Sequence, residues 1–406
     1  MRTGRISARS GGFVAITCIL LLGALLAWNA GRDRGSGAAA AVPHADPSIA
    51  GTPVVAGDTG CGDGWSGGTA GTLTFAVWNA SNNPVEVYLR DERTRKVYLD
   101  VENLGTGATR SAQVTLGPGR YAFVCLPSEG SPVAGPAQQV TGPEPADVTA
   151  GVVPITENDL APAVRHYKAW VRRQLPGLLA QTGRLAEDIH AGDVTAAKRD
   201  WLTAHLTYQR LGAAYGAFGD DDTAIDGLPS TTVPAAHDPH LHGFHKIEAL
   251  LWSGRTAGLA GEADALIKAE HHLRTDLARQ DAIQPIDVGL RAHEILEDAV
   301  QQVLTGADDA GSHTQLATLD ADIDGTWAAL DEVRPLLRSR DPELGRTVRW
   351  LRRTQALIRG YRHGVDWVPL QRLGRLQRET LDAHLEQAVE LLSRVAVITD
   401  PRRSAG

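Results

Sequence analysis

The segment HDPHLHGFHKIE, residues 237–248, gathers four of the chain's fourteen histidines into twelve residues. Imidazole nitrogens beside a carboxylate can bind a transition metal or switch charge with pH. Pro239 and Gly243 divide the stretch, so that His237, His240 and His242 fall in a loop while FHKIEALLW can run as one helix. In that helix His245 and Glu248 are three residues apart and project from one face, as a chelating pair must. The competing reading of the pair is a solvated helix face. For the three loop histidines the alternatives are an arm that recruits metal and an ordinary surface loop.

A site needs donors from a second element. His205, Tyr208 and Gln209 share one face of an upstream helical segment, although His205 reads equally well as a hydrogen-bonded core histidine. Asp226 follows at the end of the acidic stretch GDDDTAID. RAHEILED offers His293, Glu294 and Glu297, a hint of internal duplication that a carboxylate network on a bundle helix explains better. Hydrolytic chemistry is poorly served: the chain has no H-E-x-x-H and shows no Ser-His-Asp arrangement on a G-x-S-x-G elbow. Nitrogen and oxygen donors suit iron, zinc, copper or manganese alike. An imidazole must be neutral to bind metal, so affinity is expected to fall as pH drops through about 6.

The elements that must position these residues differ along the chain. With 406 residues and 43% apolar content, the chain can bury one large core or two. Its net charge of −8, with no long basic run, argues against nucleic acid and mildly favours cationic partners. Arg2, Arg5 and Arg9 precede an apolar run from Phe13 to Trp28, so residues 1–30 read as an export signal or an uncleaved membrane anchor, and the protein as extracytoplasmic. Cys18 sits inside that run rather than just after it, unlike a lipoprotein cysteine. Residues 31–57, rich in Gly, Ala, Pro and Ser, are expected to be a flexible tether. Cys61 and Cys125, in an oxidising compartment, are expected to form a disulfide worth about 2–4 kcal/mol.

Residues 58–147 alternate with period two. Leu73, Phe75 and Val77 share a face, as do Val85, Val87 and Leu89, then Val97, Leu99 and Val101, then Tyr121, Phe123 and Cys125, which predicts a small β-sandwich. Residues 155–400 switch to period 3.6. Eight helical segments are expected, at 157–190, 193–218, 243–253, 262–280, 286–304, 313–338, 341–360 and 366–396. Gly212, Ala213 and Gly216 would lie on one face of the second and admit a close neighbour.

The runs WLTAHLTYQRLGAAYGAFGDDDTAIDG, GFHKIEALLW, RAHEILEDAV and GSHTQLATLDADIDGTW, in that order, resemble the imelysin-like domain of the EfeO/EfeM family of extracytoplasmic iron-uptake proteins. GFHKIE matches the family's G-x-H-x-x-E motif, and the β-region with its AFVC strand resembles the cupredoxin-like domain that precedes it. The resemblance implies a multidomain chain: a cupredoxin-like β-sandwich, then an all-α domain of two four-helix bundles. It implies iron, ferrous or ferric, as the ion carried within an EfeUOB-type system. The partners would be a membrane iron permease and a haem peroxidase-like protein. His245, Glu248, Gln209, His205 and Asp226 are the implied metal set. Gln209 stands where the family often has glutamate, which removes an anionic donor. Glu86 and Glu102 resemble acidic positions of the family's β-domain and offer a second cation site. Blue-copper ligation is not expected, because no histidine lies between His44 and His166 and the only methionine is Met1. The alternative function is a metallopeptidase, since imelysin-like domains have been classed with peptidases.

Overall fold

The computed structural model describes residues 46, 48–212, 215–279 and 282–402. The expected signal or anchor, Cys18, most of the tether and Ala213 of the small-residue stripe lie outside the described residues. A β-rich region comes first. Its strands are β1 (Thr52–Ala56), β2 (Cys61–Asp63), β3 (Gly68–Thr69), β4 (Gly71–Asn79), β5 (Val85–Asp91), β6 (Val97–Leu104), β7 (Thr109–Leu116), β8 (Gly119–Pro127), β9 (Val133–Ala134) and β10 (Gln138–Thr141). One sheet has the order β2-β1-β4-β7; the other runs β3-β10-β8-β5-β6, with β9 added beside β8. Their inward residues, among them Phe75, Val77, Val87, Leu89, Val101 and Phe123, share one apolar core. The Cys61–Cys125 disulfide ties β2 to β8 within it.

Two expectations change here. The tether was to reach residue 57, yet β1 begins at Thr52 and pairs in parallel with β4, burying Val54 and Ala56 completely. Five residues are too few to announce a period. Val97 was placed with Leu99 and Val101, but the β5–β6 register shifts between Leu89 and Arg90. That irregularity turns Val97 to the other face, against Tyr88, Val124 and Leu126.

The helical region comprises α1 (Glu157–Ala191), α2 (Val194–Gln209), α3 (Tyr215–Asp226), α4 (Gly243–Trp252), α5 (Leu259–Asp276), α6 (Pro285–Asp298), α7 (Gln315–Leu337), α8 (Leu344–Arg359) and α9 (Arg375–Thr399). Their apolar stripes merge into one continuous core. The helix expected over 193–218 is two: α2 stops at Gln209, so Gly212 lies in the turn after it rather than on a helix face. The segment expected at 366–396 begins instead as a two-stranded ribbon, Arg362–His363 with Asp366–Trp367, and becomes helical only after Gly374. Residues 299–303 continue α6 as a π-helical turn.

The connecting segment fastens the two regions together. Val97 and Val152 exchange backbone hydrogen bonds, Arg340 Nε donates to Val153 O at 2.9 Å, and Arg402 N donates to Ile155 O at 2.7 Å. A capping box between Thr156 and Asp159 then starts α1. No helix among the described residues is long and apolar enough to cross a membrane.

Candidate metal centre

The start of α4 is set by one residue. Gly243 has φ of 72°, and a Cβ there would lie 1.9 Å from the carbonyl oxygen of Ile225. Only glycine lets α4 begin against the last turn of α3, and this contact brings His245 beside Asp226. A third helix is held to the same place: Trp201 Nε1, from α2, donates to Phe244 O at 2.9 Å, and the Trp201 ring stacks on His205 with centroids 4.8 Å apart. The three helices thus deliver His205, Asp226 and His245 to one point.

Asp226 Oδ1 lies 3.3 Å from His205 Nε2 and 3.4 Å from His245 Nε2. Among the described residues no hydrogen-bond donor is aligned on that oxygen, although it is buried. Donors about 2.1 Å from a shared ion stand roughly 3–3.5 Å apart when adjacent, so the trio can take a metal with little movement. Around it lies a supporting set. Glu248 Oε2 accepts from His245 Nδ1 at 3.2 Å, and its Oε1 accepts from Ser312 N at 2.8 Å. Gln209 Nε2 donates to Asp226 Oδ2 at 2.7 Å and meets His205 Nε2 at 2.9 Å. A carboxylate on the far nitrogen of a metal-facing imidazole fixes its orientation and raises its basicity.

A cavity of about 130 Å³ opens beside Asp226 and His245, lined also by Gln209, Asp222, Asp298, Asp308 and Asp322 together with apolar side chains and Gln302. By this measure a water needs about 10–15 Å³, so an ion and several waters fit. The lining contains five aspartates and no lysine or arginine. Burial pushes Asp308 up to about 6 against the pull of His245 and His205, and Asp222 up to about 6 against its bond from Tyr208. Burial, then the charges of Asp308, Asp298 and Asp226, hold Asp322 well above the usual carboxylate range. Burial would also raise Asp226, but His245 and His205 beside it hold it below its ordinary value. Burial would lower His245, yet Asp226 and Glu248 raise it to about 9. Without a cation, the cluster keeps its charge down by holding protons.

Comparison with known proteins decides the family. The family model described as Imelysin (Peptidase M75) matches residues 163–395, more than half of the chain. The chain belongs to the imelysin family. Among its relatives is a protein of Escherichia coli O1:K1 / APEC named iron uptake system component EfeO. It is 27% identical over 278 residues, covering 68% of this chain and 71% of that protein. Proteins of the same name from Yersinia pseudotuberculosis serotype I (strain IP32953) and Yersinia pestis are 27% and 26% identical, each over 68% of this chain and 71% of theirs. The family resemblance read from the sequence is thereby borne out.

In this imelysin-family chain the residues named from the sequence fall into four groups. His245, Glu248, His205, Gln209 and Asp226 come together, and the pair His245 and Glu248 is buried rather than solvated. Glu86 and Glu102 also come together, on β5 and β6, but around the guanidinium of Arg402, which pairs closely with Glu102 and lies 3.4 Å from Asp100 and 3.9 Å from Glu86. His237, His240 and His242 are exposed, on a loop that Lys246 holds by donating to Asp238 O at 2.7 Å. His293 turns to Val389 O at 3.1 Å, a contact from α6 to α9, and Glu294 pairs with Arg291 within α6. Asp222, Asp298, Asp308 and Asp322 were missed. Asp322 carried a signal: it sits in the apolar stripe of α7 between Leu319 and Ile323, where an unpaired acid needs a reason.

Proposed function

We propose that this protein is an extracytoplasmic iron-binding component of an iron-uptake system, which captures the ion and delivers it to a membrane permease. The observation that carries the reading is the convergence of two imidazoles and one carboxylate, His205, His245 and Asp226, beside a cavity lined by further acids and by no lysine or arginine. Two histidines and a carboxylate with open positions are a donor set suited to non-haem iron. The names of the EfeO relatives point the same way. In this proposal Glu248 and Gln209 hold the imidazoles and Asp226 in place. A ligand role for Gln209 would require its amide to turn over and give up its bond to Asp226. Zinc and copper would compete at the same donors.

The same reading takes the β-region as cupredoxin-like and the helices as paired four-helix bundles, with a haem peroxidase-like protein beside the permease as partner. A second cation position at Glu86 and Glu102 would require Arg402 to leave. The peptidase alternative fits less well, because a cavity of about 130 Å³ suits an ion rather than a peptide. The test is iron accumulation by cells lacking this protein. Wild type should restore it and His245→Ala should not; full restoration by His245→Ala would overturn the proposal.

A further inference from the structure

We propose that Asp221, His272 and Asp276 form a second cation site, for a divalent first-row transition ion, on the outer side of α3 and α5. His272 and Asp276 are four residues apart on α5 and so share a face. Asp221 reaches the same point from α3, and its Oδ1 stands 2.6 Å from His272 Nδ1. One donor atom from each of the three lies within 4.8 Å of the other two. Donors about 2.1 Å from one ion are separated by roughly 3–4 Å, so an ion would replace the proton that Asp221 and His272 share, part those two slightly and draw Asp276 in. One imidazole with two carboxylates selects a borderline divalent ion such as zinc or ferrous iron, and leaves positions for water. The His272 side chain is 66% exposed, which gives an ion direct access from solvent.

The placement of the site on α3 is informative. Asp221, itself buried, turns to the exposed His272, while the next residue, Asp222, accepts from Tyr208 Oη at 2.5 Å and lines the buried cavity. Successive carboxylates of one helix therefore serve the surface cluster and the inner cavity. The outer site does not depend on what the inner one binds.

Calorimetric titration of the full chain with zinc tests this. In a background of Asp226→Asn with His245→Gln, one equivalent should still bind, more weakly than a buried site would. Adding His272→Ala and Asp276→Asn should weaken that equivalent at least tenfold, whereas His271→Ala, a change at the neighbouring exposed histidine, should not. His271 and His272 are exposed and Asp276 half-buried, whereas Asp226 and His245 are buried, so near-ultraviolet circular dichroism of every variant, the background included, checks that packing is kept. A background variant that binds no zinc, or a residual equivalent unchanged by the loss of His272 and Asp276, would overturn the proposal. Failure of the inner centre would look different: the background changes would then leave wild-type binding as it was, while those at His272 and Asp276 would still remove one equivalent.

Discussion

His245 faces Glu248 with one ring nitrogen and Asp226 with the other, and this arrangement sets how binding depends on pH. The sequence alone, with an unperturbed imidazole, places the loss of affinity near pH 6. Burial works to lower His245, but the two carboxylates raise it to about 9, so below that pH a proton must leave before metal binds. Metal affinity should therefore climb between pH 6.5 and 8.5 by up to about tenfold per pH unit for each proton displaced. Titrations across this range check it, and a flat profile would contradict imidazole ligation. Glu270 provides a separate test, of the fold. Its Oε1 accepts from Thr182 Oγ1 at 2.7 Å, and burial pushes its carboxyl up to about 8. An acid raised in the fold contributes stability that is full below its unfolded value, near 4.5, and is lost as pH rises through about 8. Glu270→Gln keeps the acceptor for Thr182 and cannot ionise. Its advantage over wild type in urea unfolding should grow by roughly 3 kcal/mol from pH 5 to pH 8; parallel stabilities at both pH values would contradict this.

At the scale of elements, α4 was the most legible piece. Pro239 and Gly243 end the loop, the apolar period begins at Phe244, and the His245–Glu248 spacing follows. The end of α2 was not legible, because tertiary contacts decide it. The turn after Gln209 places Arg210 O against Gly325 of α7, where a Cβ would come within 2.8 Å, and Arg210 Nε reaches Asp324 at 3.3 Å. No local pattern encodes that approach. The π-helical turn at 299–303 was equally hidden, since it interrupts a helix without interrupting the apolar stripe. It matters because Gln302 and Val303 line the cavity. Gly243 joins local signal to tertiary consequence. Gly243→Ala would force α4 away from Ile225, and should cost about 2–4 kcal/mol and weaken metal binding at least tenfold. Thermal melts with metal titration check both, and unchanged affinity would show that this contact does not set the site.

At the scale of the molecule, the change of period from two to 3.6 located the boundary between the β-rich and helical regions, and the cysteine pair was found by count and compartment. What the sequence hid was the joint. The Val97–Val152 bridge joins residues distant in sequence, and Arg402 meets Glu86, Asp100 and Glu102 from 300 positions away or more. The proposed metal centre, by contrast, draws its residues wholly from the helical region. Cys61→Ser with Cys125→Ser should therefore destabilise the β-rich region by about 2–4 kcal/mol and leave metal affinity unchanged. Denaturation followed beside metal titration checks this, and a parallel loss of affinity would contradict the separation. The most direct test of the account is anaerobic titration of the purified protein with ferrous iron, comparing wild type with His205→Gln, His245→Gln and Asp226→Asn. The account predicts one tight equivalent in wild type, weakened at least a hundredfold by each substitution, with helix content retained. Tight iron binding that survives all three substitutions would contradict it.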